Sequence, residues 1–237
     1  MIDLLKTDLS DIYDFEILVK YLEAHGMYRE ALEQAEQANR QFVNDDRAAT
    51  LLVHCYERDG WTEEAFAIRH KQFFKQPDSK TLAAVLRAGK SSTDPKNNDT
   101  VQLKSVLMAS ILDSQINFAK KHNYEVFFDS TAQILIDEKE WSQLLGLLDK
   151  GYLCRDQLLH TIGMLLPEKH ADRAVAILSG LLHERMKLSV SPHKETLRLV
   201  SDIFLRLAPK GREILLEQLA TQYRHKVAFV RDLPPIE

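Results

Sequence analysis

His54 and Cys55 stand side by side, a thiol next to an imidazole, and are the first pair in this chain whose chemistry needs weighing. On a helix, neighbouring side chains diverge by about 100°, so the two cannot readily hold one ion or share a proton. The other histidines are scattered, with no His-Glu-x-x-His and no pair four residues apart, the spacings that zinc sites use. Cys154 precedes Arg155 and lies six residues before His160. A catalytic thiolate needs an imidazole in contact and an electropositive setting, and that spacing supplies neither dependably. Both cysteines therefore read as buried thiols. Gly89-Lys90-Ser91-Ser92 resembles the end of a phosphate-binding loop, but Ala84 stands where its first glycine belongs and no strand precedes it. Ser179-Gly180 lies in an apolar helical stretch and belongs to no Gly-x-Ser-x-Gly. The carboxylates at Asp45-Asp46 and within Asp137-Glu138-Lys139-Glu140 read as solvated faces or helix starts. No enzyme, no metal and no cofactor is the expectation.

Positive charge gathers late in the chain, at Arg206, Lys210, Arg212, Arg224, His225, Lys226 and Arg231, with Tyr223 and Phe229 interleaved. Arg224, His225 and Lys226 are the candidate contacts to a nucleic-acid backbone. Glu213, Glu217, Asp232 and Glu237 dilute the patch, and the whole chain carries a net charge of -4. That balance argues against a protein that coats nucleic acid or lies on an anionic membrane.

These residues need elements to position them, and the composition names the kind. Leucine occurs 35 times against 25 for valine plus isoleucine, while Gly (8) and Pro (7) are sparse for 237 residues. Helices are favoured over strands and turn-dense sandwiches. A period is also visible. Gly26 and Gly60 are 34 residues apart, and at the same offset Leu22 maps to Tyr56, Ala31 to Ala65, Leu32 to Phe66 and Val43 to Pro77. Each segment reads as helix, glycine turn, aromatic (Tyr28, then Trp61) and second helix. Two helices joined tightly need a residue tolerant of positive φ at the turn and a small side chain where they approach, which Gly and Ala supply. A lone hairpin leaves one face apolar, so such hairpins stack.

Residues 12–78 resemble the tetratricopeptide repeat, whose 34-residue period places Tyr56, Gly60, Ala65 and Pro77 as found here. Val43 departs from the closing proline, and only Phe15 stands near the early aromatic of the pattern. The resemblance implies an all-α solenoid of antiparallel helix hairpins whose first helices line a groove for a peptide or partner helix. Carried over by the glycine register, the groove positions are Tyr13, Glu16, Lys20 and Glu23, then Arg47, Thr50, His54, Glu57 and Arg58. The family's chaperone-tail clamp has Lys and Asn where this chain has Glu16 and Lys20, so that ligand is not implied.

Three regions are expected: hairpins over 1–88, an exposed loop or hinge over 89–99, and a divergent helical-repeat region over 100–237. The last includes a long helix from Thr100 carrying Val101, Val106, Leu107, Ile111 and Leu112, a helix marked by Phe127, Phe128, Ile134, Leu135 and Ile136, a turn at Pro167, a helix start at Ser191-Pro192, and a last helix over 210–228 behind Pro209. Ten or eleven helices are expected. The later half, with HADRAVAILSGLLHERM and YRHKVAFVRDL, is similar to the helical region that follows the zinc module of bacterial SWIM zinc-finger proteins; the Cys and His ligands of that module are absent, so its zinc-dependent binding does not carry over. The first residues, MIDLLKTDLSD, hold no basic-then-apolar leader, and no apolar run approaches the ~20 residues that span a bilayer. A cytoplasmic adaptor or scaffold with a protein partner is the leading expectation. A nucleic-acid-associated accessory protein and a helical enzyme with a dispersed site are the alternatives.

Overall fold

The computed structural model describes residues 9–187 and 193–234, so the helix start expected at Ser191-Pro192, the leader reading over residues 1–8 and Glu237 lie outside the described residues. Among these residues the chain is all-helical, with fourteen α-helices, one 3-10 turn and no strand beyond an isolated bridge between Phe127 and Leu153. It divides into two compact units, Met1–His122 and Asn123–Glu237.

The first unit contains α1 (Ile12–Ala24), α2 (Tyr28–Gln41), α3 (Asp46–Asp59), α4 (Thr62–Lys75), α5 (Ser79–Lys90), the single turn α6 (Pro95–Asn98) and α7 (Thr100–His122). From α1 to α5 each helix packs on the next, and α5 packs on α7. The turns explain the period. Gly26 has φ 73° and Gly60 φ 79°, the left-handed region that glycine enters at little cost. Behind each, an amide reaches back five residues, Met27 N–H to Leu22 O at 2.9 Å and Trp61 N–H to Tyr56 O at 2.9 Å. This is the bond that closes a helix on a left-handed residue. Ala31 and Ala65 are fully buried one turn into the second helices. The helix starts repeat as well: Asp11, Asp45 and Asp78 each cap a first helix with the side chain. An aspartate oxygen there satisfies amides that have no partner within the helix. The third cap follows the second by 33 residues, so the repeat of helix starts continues past Pro77.

Apolar residues at i, i+3 and i+4 spacing, Ile12, Phe15, Leu18, Val19 and Leu22, face Ala31, Ala35 and Ala38 and then Ala48, Leu51, Leu52 and Cys55 in one core. Small residues along α2 let α1 and α3 both approach it. Phe15 meets Phe42 edge to face at 6.0 Å.

Most of residues 89–99 is exposed, as the sequence predicts, but α5 runs through Gly89 to Lys90, Pro95–Asn98 form the turn α6, and both Gly89 and Ser92 are buried. The Glu63 carboxylate of α4 holds the segment, accepting from Ser92 Oγ (2.9 Å), Thr93 N–H (2.6 Å) and Thr93 Oγ1 (2.8 Å). A polar, proline-containing stretch reads as a free loop until a distant acid satisfies its hydroxyls and amides. The division between compact units falls instead at His122–Asn123.

The second unit contains α8 (Asp129–Asp137), α9 (Trp141–Asp149), α10 (Asp156–Leu165), a 3-10 turn at Glu168–His170 behind Pro167, α11 (Ala171–Lys187), α12 (His193–Phe204), α13 (Pro209–Gln222) and α14 (Val227–Arg231). Its α8–α9 turn reuses the geometry of the first unit: Lys139 takes φ 60° and Glu140 N–H reaches back to Leu135 O at 2.8 Å. A lysine here does what glycine does at Gly26 and Gly60. Leu178, Leu181, Leu182, Met186, Val200, Ile203, Leu219, Tyr223 and Phe229 form this unit's core.

Two helix expectations change. The helix expected over 210–228 ends at Gln222 and resumes at Val227, because Tyr223 is buried with its hydroxyl on His183 Nδ1 at 2.8 Å and Lys226 turns back to Met186. Phe127 and Phe128 precede α8 rather than lie on it, and Val101 and Val106 lie on the exposed side of α7. The fourteen helices among the described residues exceed the ten or eleven expected, in part because α6 and α14 are too short to show a period.

Candidate functional site

Successive turns of α1 carry Glu16, Lys20 and Glu23 on one side, and α3 carries Arg47, Thr50 and His54 in the same way. The first unit brings these six together around a cleft of about 560 Å³. Val19 and Leu51 form apolar parts of its wall, and Asp46 and Lys80 complete it. Tyr13 and Glu57, also expected in the groove, are exposed and do not line the cleft.

Lys80, at the start of α5, is the residue the sequence reading missed. It stands two positions after the Asp78 cap, as Arg47 stands two after Asp45 and Tyr13 two after Asp11. The recurring aspartate was the available signal.

Charge pairing separates the candidates. Arg58 Nη1 donates to Glu23 Oε1 at 2.7 Å, its Nη2 donates to Tyr28 O at 3.1 Å, and its guanidinium lies 4.7 Å from the centre of the Tyr28 ring. A second carboxylate, Asp59, accepts at 2.7 Å and, as the largest influence, raises the Arg58 pKa above the ordinary arginine value. Arg58 therefore ties α3 to the end of α1 and the start of α2. His54 Nε2 approaches the same Glu23 at 3.1 Å. Arg47 folds onto Asp45, with Nη2 to Oδ2 at 2.9 Å, and its side-chain hydrogen bond holds the Asp45 carboxyl below the usual range. Asp46 is occupied by Lys75 Nζ at 2.8 Å. Lys20 and Lys80 have no carboxylate partner among the described residues, and Glu16 is the one cleft carboxylate without an ion pair there. A polar cleft with two unneutralised ammonium groups above an apolar wall can hold a polar chain carrying negative charge.

Chemistry of the nucleophilic kind has no support in either thiol. Burial pushes Cys55 up to about 11 and Cys154 up to about 12, so both are protonated at neutral pH. No group of three or more His, Cys, Asp or Glu that could hold a metal occurs among the described residues. His160 Nε2 pairs with the buried Asp202 at 2.7 Å, a tie between α10 and α12.

Three of the seven late cations are committed to backbone. Arg206 donates to Leu166 O at 2.8 Å, Arg212 to Phe204 O at 3.0 Å and to Leu207 O at 3.1 Å, and Lys226 to Met186 O at 2.6 Å. These are carbonyls at or just past the ends of α10, α12 and α11, which have no partner within their own helices. Arg231 pairs with Asp232. Of the three candidate nucleic-acid contacts, Lys226 is used this way, while Arg224 and His225 are exposed.

No family model, curated protein or solved structure matches the chain. Among the described residues no helix is long and apolar enough to cross a membrane.

Proposed function

We propose that this chain is a non-catalytic protein-interaction module, an adaptor or scaffold, whose first unit is a tetratricopeptide-like stack of hairpins. Its cleft between α1, α3 and α5 takes an extended peptide or a partner helix. The observation that carries the reading is the convergence of Glu16, Lys20 and Glu23 with Arg47, Thr50 and His54 on one cleft. The capped helix starts at Asp11, Asp45 and Asp78 support the repeat assignment, since equivalent faces then point the same way. The mechanism is side-chain complementarity, with no covalent step and no cofactor.

The test is affinity capture of the full chain from its native cells, with and without nuclease, comparing the natural sequence with the Lys20→Glu, Lys80→Glu double variant. Those two lysines are chosen because they hold no carboxylate partner among the described residues; reversing Arg58 would unseat Glu23 and Tyr28 and so damage the scaffold. Capture of one stoichiometric protein that survives nuclease and is lost in the double variant supports the cleft. A partner that disappears with nuclease, and depends on Arg224, would replace this reading with the nucleic-acid one.

A further inference from the structure

Beside the cleft, and sharing Asp46, Thr50 and Lys80 with it, lies a smaller recess of about 180 Å³ between α3, α4 and α5. On its wall is Arg69 of α4, a half-buried guanidinium. Its one side-chain hydrogen bond goes from Nη1 to the neutral Gln72 Oε1 at 3.1 Å, and no carboxylate pairs with it among the described residues. Desolvation lowers its pKa below the ordinary arginine value, Glu57 pulling the other way and Arg87 adding to the effect. A cation partly stripped of water, with Glu57 acting only from a distance and no carboxylate in contact among the described residues, is costly, and an incoming anion relieves the cost.

The surroundings hold the guanidinium ready for one. Gln72 is fixed from behind, its Nε2 donating to Asp46 O and to Thr50 Oγ1 at 3.4 Å each, which aims its oxygen at Arg69. Among the described residues nothing takes the Nε–Nη2 edge of Arg69, and such an edge takes a carboxylate in two parallel hydrogen bonds. The recess has two acids of its own, but both are occupied: Asp46 by Lys75, and Asp78 by the α5 amide of Thr81 and by Gln76 Nε2 at 3.2 Å.

We propose that this recess is an acceptor for one carboxylate side chain, so that the segment bound in the neighbouring cleft carries an aspartate or glutamate anchored on Arg69. The proposal rests on the cleft reading and names the chemistry of its ligand. A singly charged carboxylate fits better than a phosphate, because what remains of the Asp46 and Asp78 charge in the same wall opposes any anion, and a doubly charged one twice as much.

The experiment uses the full chain and three probes at low salt: N-acetylated tetraglutamate amide, tetraglutamine amide and inorganic phosphate. The side-chain Nε–Hε resonance of Arg69 is followed by NMR. The expected result is a saturable shift with tetraglutamate and none with tetraglutamine. Arg69→Gln should weaken tetraglutamate binding by at least about ten-fold, the scale of one charged hydrogen bond. Arg69→Lys, which keeps the charge and loses the fork, should weaken it less and serves as the second variant if Arg69→Gln does not fold. Binding of tetraglutamate that both substitutions leave unchanged, an equal response to tetraglutamine, or a larger response to phosphate would overturn the proposal. Resonances of Lys20 and Lys80 that move while Arg69 does not would overturn it and leave the cleft standing. Arg69 responding as expected, with native capture indifferent to Lys20→Glu, Lys80→Glu, would keep the recess and remove the cleft.

Discussion

Replacing Arg58 by methionine keeps most of the aliphatic stem and removes the head that joins three helices. The lost contacts are the 2.7 Å bond to Glu23, the 3.1 Å bond to Tyr28 O, the guanidinium over the Tyr28 ring, and the bonds to the neighbouring Asp59 at 2.7 and 2.8 Å, which tie no second helix. Side-chain exposure of 19% on both Arg58 and Glu23 places the pair between a surface bridge and a buried one. A hydrogen bond to a charged group contributes about 1.5 to 3 kcal/mol when shielded, and an exposed cation–π contact about 0.5 to 1. Solvent screening trims the first figure, and His54 remains to answer Glu23. The expected loss is about 2 to 3 kcal/mol, read from urea unfolding of the full chain. A double-mutant cycle with Glu23→Gln should show a coupling of about 1 kcal/mol or more. Arg58→Met within about 0.5 kcal/mol of the natural sequence, with no coupling, would refute the claim that Arg58 is a scaffold residue. Arg58 would then return to the set of ligand contacts.

Three further outcomes follow from the geometry. Lys139→Gly should stabilise the chain by about 0.5 to 1 kcal/mol, because glycine holds φ 60° without the steric cost a lysine bears there; a destabilised variant in thermal unfolding contradicts this. Glu63→Gln should expose residues 91–99 to trypsin at Lys96, since one carboxylate gathers Ser92 and Thr93; the Thr93 hydroxyl bond lowers the Glu63 pKa, so the restraint is whole above the unfolded value of 4.5 and fades as pH falls below it, and unchanged cleavage would count against it. Burial raises both thiol pKa values in the fold, so stability should be whole below pH 9.0, the unfolded value, and decline as pH rises toward about 11 for Cys55 and about 12 for Cys154. A Cys55→Ala, Cys154→Ala variant with an equally steep alkaline decline would refute that assignment.

The parts of the fold legible in the sequence are those where geometry leaves few residue types. A positive φ with a close helix approach one turn later calls for Gly26 and Gly60 with Ala31 and Ala65, and these stand out at any reading distance. At the α8–α9 turn the segment ILIDEKEWSQLLGLL reads as helix, charged turn, aromatic and helix, but its positive-φ position was hidden, because Lys139 meets the requirement with a side chain that carries no such signature. The third helix start was visible in Asp78, yet an aspartate before a helix is common enough to pass unnoticed until three recur. For the cleft, register tells which side chains share a face and cannot tell which of them are already neutralised. Lys20 and Arg58 looked alike as groove cations, and only the positions of Glu23 and Tyr28 separate them. Arg69 was overlooked for a related reason: it lies on a second helix of a hairpin, where the resemblance places no ligand contacts. Among the late cations, Arg206, Arg212 and Lys226 hold carbonyls that lie from 5 to 40 positions away along the chain, which no local pattern reveals.

Site-directed photo-crosslinking tests the central claim most directly. A benzophenone-bearing amino acid is placed at Thr50, in the cleft wall, or at Glu33, exposed on α2, and the full chain is irradiated in its native cells. The account predicts one dominant protein adduct from position 50, abolished by Lys20→Glu, Lys80→Glu, and none of that mass from position 33. Equal labelling from both positions, or an adduct at position 50 that ignores the charge reversals, would contradict it.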